Sequence, residues 1–141
     1  MEKDISQKLD VRSGVATPVT SDGTVNGTGV DCQGIQTGLM FAIGAIAYTD
    51  GTHAISFQQA DDDAFSVNVN AITADQIVGE IADIAAATAS GDPLPKVGIL
   101  YTQRYVRPVI TSTSVTTGAT IVAMAVEHVD EAPSPATTES L

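Results

Sequence analysis

The chain has 141 residues, 17 of them acidic and 6 basic, for a formal net charge of −11 at pH 7. A surface this acidic repels phosphate, a single cysteine excludes an internal disulfide, and no apolar run approaches the roughly 20 residues of a membrane span. Val and Ile together outnumber Leu by 27 to 5, and Thr adds 17 more, a bias toward β-structure and away from helical bundles.

Residues 1–36 hold five of the twelve glycines and no aromatic residue, and their apolar positions (Leu9, Val11, Val15, Val19, Val25, Val30) are scattered. That pattern defines no buried face and predicts an extended N-terminal arm. The opening run from Met1 to Gln7 lacks the basic-then-apolar order of a signal peptide, pointing to synthesis in a reducing compartment. Residues 37–128 contain all six aromatics and form the predicted domain, and 129–141 read as a polar, Pro-containing tail.

Within the domain, Leu39 to Tyr48 is apolar or small on both alternating faces, as in a strand at the centre of a sandwich. Asp50-Gly51 supplies a tight hairpin turn, and Thr52 to Gln59 returns with Ile55 and Phe57 on one face. His53, near the strand end, reads as an exposed strand histidine placed away from Ile55, and His128 is read the same way. Asp61-Asp62-Asp63 makes a solvated turn; it lacks the Asn, Gly and Glu offsets of a calcium loop. Thr73-Ala-Asp-Gln76 has the form of a capping box, with Ile77, Ile81 and Ile84 at helical spacing, so a short helix or helical turn within 74–88 competes with a loop crossing the sandwich end. After the aspartate turn Phe65 and Val67 alternate with Ser66 and Asn68 as a further short strand, and Val97 to Tyr101, Arg104 to Thr111 and Thr120 to His128 complete the six. Pro108 cannot donate to a ladder and belongs at an edge or a bulge. The expected fold is all-β, an antiparallel β-sandwich of jelly-roll or immunoglobulin-like type with a long N-terminal arm.

Motifs for chemistry are scarce. Cys32 lies beside Asp31, whose charge raises a thiol pKa. Gly27-Thr-Gly29 has no following Lys and no strand-then-helix context for phosphate, and no Gly-x-Ser-x-Gly elbow occurs. We therefore expect no enzyme activity, no metal and no cofactor. The positive signal is Arg104-Tyr-Val-Arg107, two guanidinium groups and a phenol in a chain short of both. Tyr105 and Arg107 alternate onto one face, and Arg and Tyr are interface-rich residues, although the chain's own carboxylates compete for them.

Val30-Asp-Cys-Gln-Gly34, Ala45-Ile-Ala-Tyr-Thr-Asp-Gly-Thr-His53, Gln58-Gln-Ala-Asp-Asp-Asp63, Val97-Gly-Ile-Leu-Tyr101 and Arg104-Tyr-Val-Arg107 form an ordered set. As a set it resembles small β-sandwich structural proteins of tailed bacteriophages, regarded as capsid decoration or head-associated proteins. The match covers about residues 30–128; Cys32, Pro108 and the Ala-rich 82–89 segment depart from it. The resemblance implies a non-enzymatic virion protein on the capsid surface, assembled in the bacterial host cytoplasm. Its partners would be the major capsid protein and lattice neighbours or other copies of itself, with no nucleic acid and no membrane. A neck or tail component and a jelly-roll carbohydrate-binding module are the alternative readings. On the arm, Lys8, Leu9, Val11, Arg12 and Val15 are the candidate partner contacts, able to reach far if extended. On the body, the candidates are Tyr101, Arg104, Tyr105 and Arg107.

Overall fold

The computed structural model describes residues 9–129 except 34, 82, 85, 86, 88, 90 and 92. The strands among them are β1 Leu9–Val19, β2 Gly23–Asn26, β3 Val30–Asp31, β4 Ile35–Tyr48, β5 Thr52–Ala60, β6 Asn70–Ala71, β7 Ile77–Val78, β8 Lys96–Ile99, β9 Tyr105–Thr113 and β10 Ala119–Val129. A front sheet runs β1-β10-β4-β8-β7, and a back sheet runs β2-β9-β5-β6 with β3 also on β9; every pairing is antiparallel. The two sheets pack as the expected sandwich. Period-two alternation sends Leu39, Phe41, Ile43 and Ala45 of β4 inward against Ile55 and Phe57 of β5. The Phe41 and Phe57 rings meet across the core with centroids 4.8 Å apart.

Residues 9–31 do not stand off as an arm. β1 lies along β10 from Leu9 opposite His128 to Val19 opposite Ala119, and β2 and β3 flank β9. The register shifts between Ser13 and Val15, and this bulge inverts the inward–outward phase. Val11 therefore faces solvent, whereas Val15 and Val19 are buried. A strand with two phases, paired to the far end of the chain, leaves no local periodicity. Residues 1–8 and 130–141 lie outside the described residues.

Pro108 sits at the interruption its chemistry demands, although β9 is a central strand. Opposite Phe57 it makes a non-hydrogen-bonded pair: the Phe57 carbonyl turns away to accept the Ile72 N–H at 2.9 Å. On its other side the Pro108 carbonyl accepts the Gly27 N–H at 2.7 Å, but Pro108 has no N–H to return, and β2 ends there. The freed chain crosses to the front sheet, where the Thr28 N–H donates to the Gly14 carbonyl at 2.7 Å. A Cβ on Gly27 would stand 2.6 Å from the Gly14 oxygen and 2.7 Å from Pro108 Cγ, so only glycine fits.

Phe65 to Asn68 belongs to a loop and not to a strand; of the two readings of 74–88 the helical turn forms, and the reading of His53 is corrected. The Thr73–Gln76 box forms, with the Thr73 N–H donating to Gln76 Oε1 at 3.1 Å, but it nucleates only a 3-10 turn over Ala74–Gln76. Gln76 is bound on both sides to Leu100, its carbonyl accepting the Leu100 N–H and its side-chain amide donating to the Leu100 carbonyl. The chain thus continues as β7, and Ile84 ends up bridged to His53. His53 is fully buried, on the same inward face as Ile55 and Phe57. The Asp50 carbonyl, 3.1 Å away, can only accept, so Nε2 carries the proton and Nδ1 accepts from the Ser112 hydroxyl at 2.8 Å. The side chain of His128 is outside the described part.

Gly27→Ala is expected to cost about 2–3 kcal/mol in denaturant unfolding, because neither the Gly14 backbone nor the Pro108 ring can retreat. Gly38→Ala, where a Cβ meets no described atom within 4 Å, is expected to stay within about 0.5 kcal/mol of the parent.

Candidate interaction surface

Arg104 immediately precedes β9, and the pairing of Asp31 with Tyr105 brings the Asp31 carboxylate alongside it. Arg104 Nε and Nη2 donate to the two carboxylate oxygens at 2.9 and 2.8 Å, a bidentate fork. The same guanidinium lies 5.0 Å from the Tyr105 ring centroid. Asp31 is held down at about 2, first by the hydrogen bonds from Arg104 and then, after an opposing burial effect, by the Gln33 N–H. Arg104 is correspondingly pushed above its ordinary value.

Arg107 points to the same outer face and meets a different partner. Register sets it opposite Gln58, and its Nε and Nη2 both donate to Gln58 Oε1, at 3.0 and 2.7 Å. Its guanidinium lies 4.2 Å from the centroid of Phe65. Phe65 arrives there because Asp62 gathers the loop, accepting from the Ser66 N–H, the Ser66 hydroxyl and the Val67 N–H. Gly29 leaves room for the Phe65 ring, which a Cβ would meet at 2.7 Å. Asp61 accepts from Asn68 and Gln103 side chains. These donors lower both carboxyls, and the aspartate run is a turn-building device.

The connection from β8 to β9 is fixed from beneath. Gln59, buried on β5, accepts the Thr102 and Gln103 N–H groups at 2.9 and 3.2 Å. Beside this loop, Cys32, Gln33, Tyr101, Thr102, Gln103 and Arg104 line a shallow depression of about 340 Å³. The Cys32 thiol is pushed up to about 12, chiefly by burial and then by the carboxylates of Glu127 and Asp31. Burial first, then Cys32 and Glu127, also raise Tyr101. Such a thiol is no nucleophile near neutral pH. Among the described residues no group of three or more His, Cys, Asp or Glu side chains is placed to hold a metal ion.

The candidate contacts thus fall in separate places. Tyr101, Arg104, Tyr105 and Arg107 cluster at one end of the sandwich and its back face. Arg12 reaches that end from β1, its Nε 3.5 Å from the buried Glu127 carboxylate. Val11, 59 % exposed, lies on the outer face of the front sheet, away from them. Val15 is in the core, because the β1 bulge turned it inward, and is no surface contact. Leu9 opens β1 opposite His128, and Lys8 lies outside the described residues. Gln58 and Gln103 complete the surface, and the buried Gln59 and Phe65 support it from beneath. Gln58 and Gln59 stand in a motif already noted, and their opposite parity on one strand was the available signal for an outward and an inward role.

At the other end, the Asp50 carboxylate accepts the N–H groups of Thr116, Thr117 and Gly118, which lowers its pKa, the Gly118 bond most. The Asp50-Gly51 turn does not close the expected hairpin: it carries the chain from β4 in the front sheet to β5 in the back sheet, and Asp50 ties it to the turn by which β9 crosses back to β10.

Comparison with known proteins finds no matching family model, no matching curated protein and no matching solved structure.

Arg104→Ala is expected to raise the Asp31 pKa from about 2 toward its ordinary 3.8, read by carboxyl NMR titration. Because the folded value is depressed, the stabilisation is complete above pH 3.8 and is lost as pH falls toward 2. Both side chains are solvated and the pair is screened, so the expected loss of stability at neutral pH is small.

Proposed function

We propose that this is a non-enzymatic virion structural protein, a decoration protein on the outer surface of a tailed-phage head, with the major capsid protein as its partner. It would be assembled in the host cytoplasm and carried on the virion surface. The observation that carries this reading is the convergence of the quoted motifs. Asp31 holds Arg104, Gln58 holds Arg107, Gln59 holds Thr102 and Gln103, and Asp61 holds Gln103. Three of the five segments thus brace one end of the sandwich, two of them through the Thr102–Gln103 connection that follows the fourth, and the fifth forms the turn between the two sheets at the opposite end.

A head surface repeats one contact many times, so each copy needs a pre-organised patch of modest affinity. Here the scarce guanidinium groups are held in fixed geometry, with exposed edges left to meet a carboxylate-bearing partner. Charge of −11 keeps the surface away from packaged nucleic acid. Residues 9–26 carry β1 and β2, so the binding test rests on substitution at the Tyr105 face and not on truncation.

The purified chain should co-sediment with phage heads lacking it and saturate at hundreds of copies per head. Tyr105→Ala should weaken that binding by roughly tenfold or more with unchanged unfolding behaviour. Saturation at about six or twelve copies would assign it to the neck or tail. Glycan-array binding without head binding would favour a carbohydrate-binding module.

A further inference from the structure

The two outer faces of the sandwich differ sharply. On the back sheet the outward rows are polar: Thr24–Thr111–Ala54, Asn26–Val109–Ser56, and Arg107 beside Gln58. On the front sheet one row crosses all five strands as Val11–Val126–Met40–Gly98–Val78. The next rows are Ser13–Met124–Ala42–Lys96, Ala16–Val122–Gly44 and Pro18–Thr120–Ala47, with Ile46 in a bulge beside the last. Val11, Ile46 and Val78 are 59, 69 and 59 % exposed. Among the described residues of these rows, Lys96 is the only charged one, although 17 carboxylates are available to the chain. A strand that is apolar on both faces suits a sheet covered on both sides, and the described residues cover this sheet on one.

We propose that a second copy of this chain packs on the outer face of the front sheet, making a face-to-face, two-fold dimer. Size fits: the four rows hold 15 positions, each about 7 Å by 4.8 Å, for a footprint of roughly 500 Å². That meets the roughly 500 Å² per partner at the lower bound of a specific interface. Shape fits as well. Val122, Met124 and Val126 form a ridge on β10 beside a trough of small residues, Ala42 and Gly44 on β4 and Gly98 on β8. A two-fold axis sets each copy's ridge over the other's trough, the self-complementarity an isologous interface requires. The chain's own ends are poor covers: residues 1–8 and 130–141 carry seven charged residues and, beyond alanine, only Met1, Ile5 and Leu141 as apolar ones. With carboxylates absent from the described contact rows, two like-charged copies can meet there, and added salt strengthens the pairing by screening the repulsion around the rim. The inference is independent of the head-surface reading.

Sedimentation equilibrium of the full chain should give twice the 14.5 kDa chain mass, with association tightening as salt rises. Met124→Lys should weaken association by about 100-fold or more, by burying an unpaired charge at the centre of the contact. Ser56→Lys, on the back face, should leave it unchanged. Val122→Cys should cross-link two chains under oxidising conditions, a readout that holds even if the lysine variant misfolds. A chain that stays monomeric near 100 μM, a Ser56→Lys effect equal to that of Met124→Lys, or no Val122→Cys cross-link overturns the proposal. A monomer that binds heads through this face would make the capsid its occupant.

Discussion

The architecture depends on the close approach of three backbones at Gly14, Gly27 and Pro108. A proline without an N–H ends the β2 ladder, a glycine lets the chain leave without collision, and a bulge in β1 offers the carbonyl that receives it. Those contacts join the edge of the front sheet to the edge of the back sheet. They also fix the phase of β1 on each side of the bulge, and so decide which valines enter the core. Without that junction, residues 9–31 would be the loose arm their composition suggests.

The central strands were legible because their information is local. Alternation in β4 and β5 and the turn at Asp50-Gly51 each lie within a dozen or so residues, and two-residue periodicity survives there; that the turn passes between sheets and closes no hairpin is set by long-range pairing and was not legible. The opening strands were illegible for the opposite reason. β1 finds its partner more than a hundred residues away and changes phase midway, so its valines look random along the chain. The stretch after Thr73 was legible only as far as its first turn. Its capping signal is physically present, but Leu100 claims Gln76 from both sides, and one turn of helix cannot compete with strand pairing at that edge. His53 misled because a turn carbonyl and Ser112 satisfy both of its ring nitrogens, which removes the penalty for burying it.

At the candidate surface, residue types were readable and partnerships were not. Arg104-Tyr-Val-Arg107 announced itself by scarcity, and its alternation held: Val106 is buried while Tyr105 and Arg107 face out. That Arg104 closes on Asp31 while Arg107 settles on Gln58 and Phe65 follows from register, and register is set by pairing across the sheet. Composition had likewise spread the acidity evenly. The fold sorts it, keeping the described contact rows of one outer sheet face free of carboxylates and placing many acids in loops, where they receive backbone and side-chain donors.

The pairing of β1 with β10 has a consequence for how the protein comes into being. β1 cannot dock until β10 has left the ribosome, so the front sheet stays incomplete while roughly a hundred further residues are made. Until then β4, with two apolar faces and an open edge, is exposed to any neighbour able to add a strand. Closing a loop of that length also makes folding slow among domains of this size. The chain's strong negative charge then acquires a role before any partner is met: repulsion between unfinished copies holds them apart until β10 arrives.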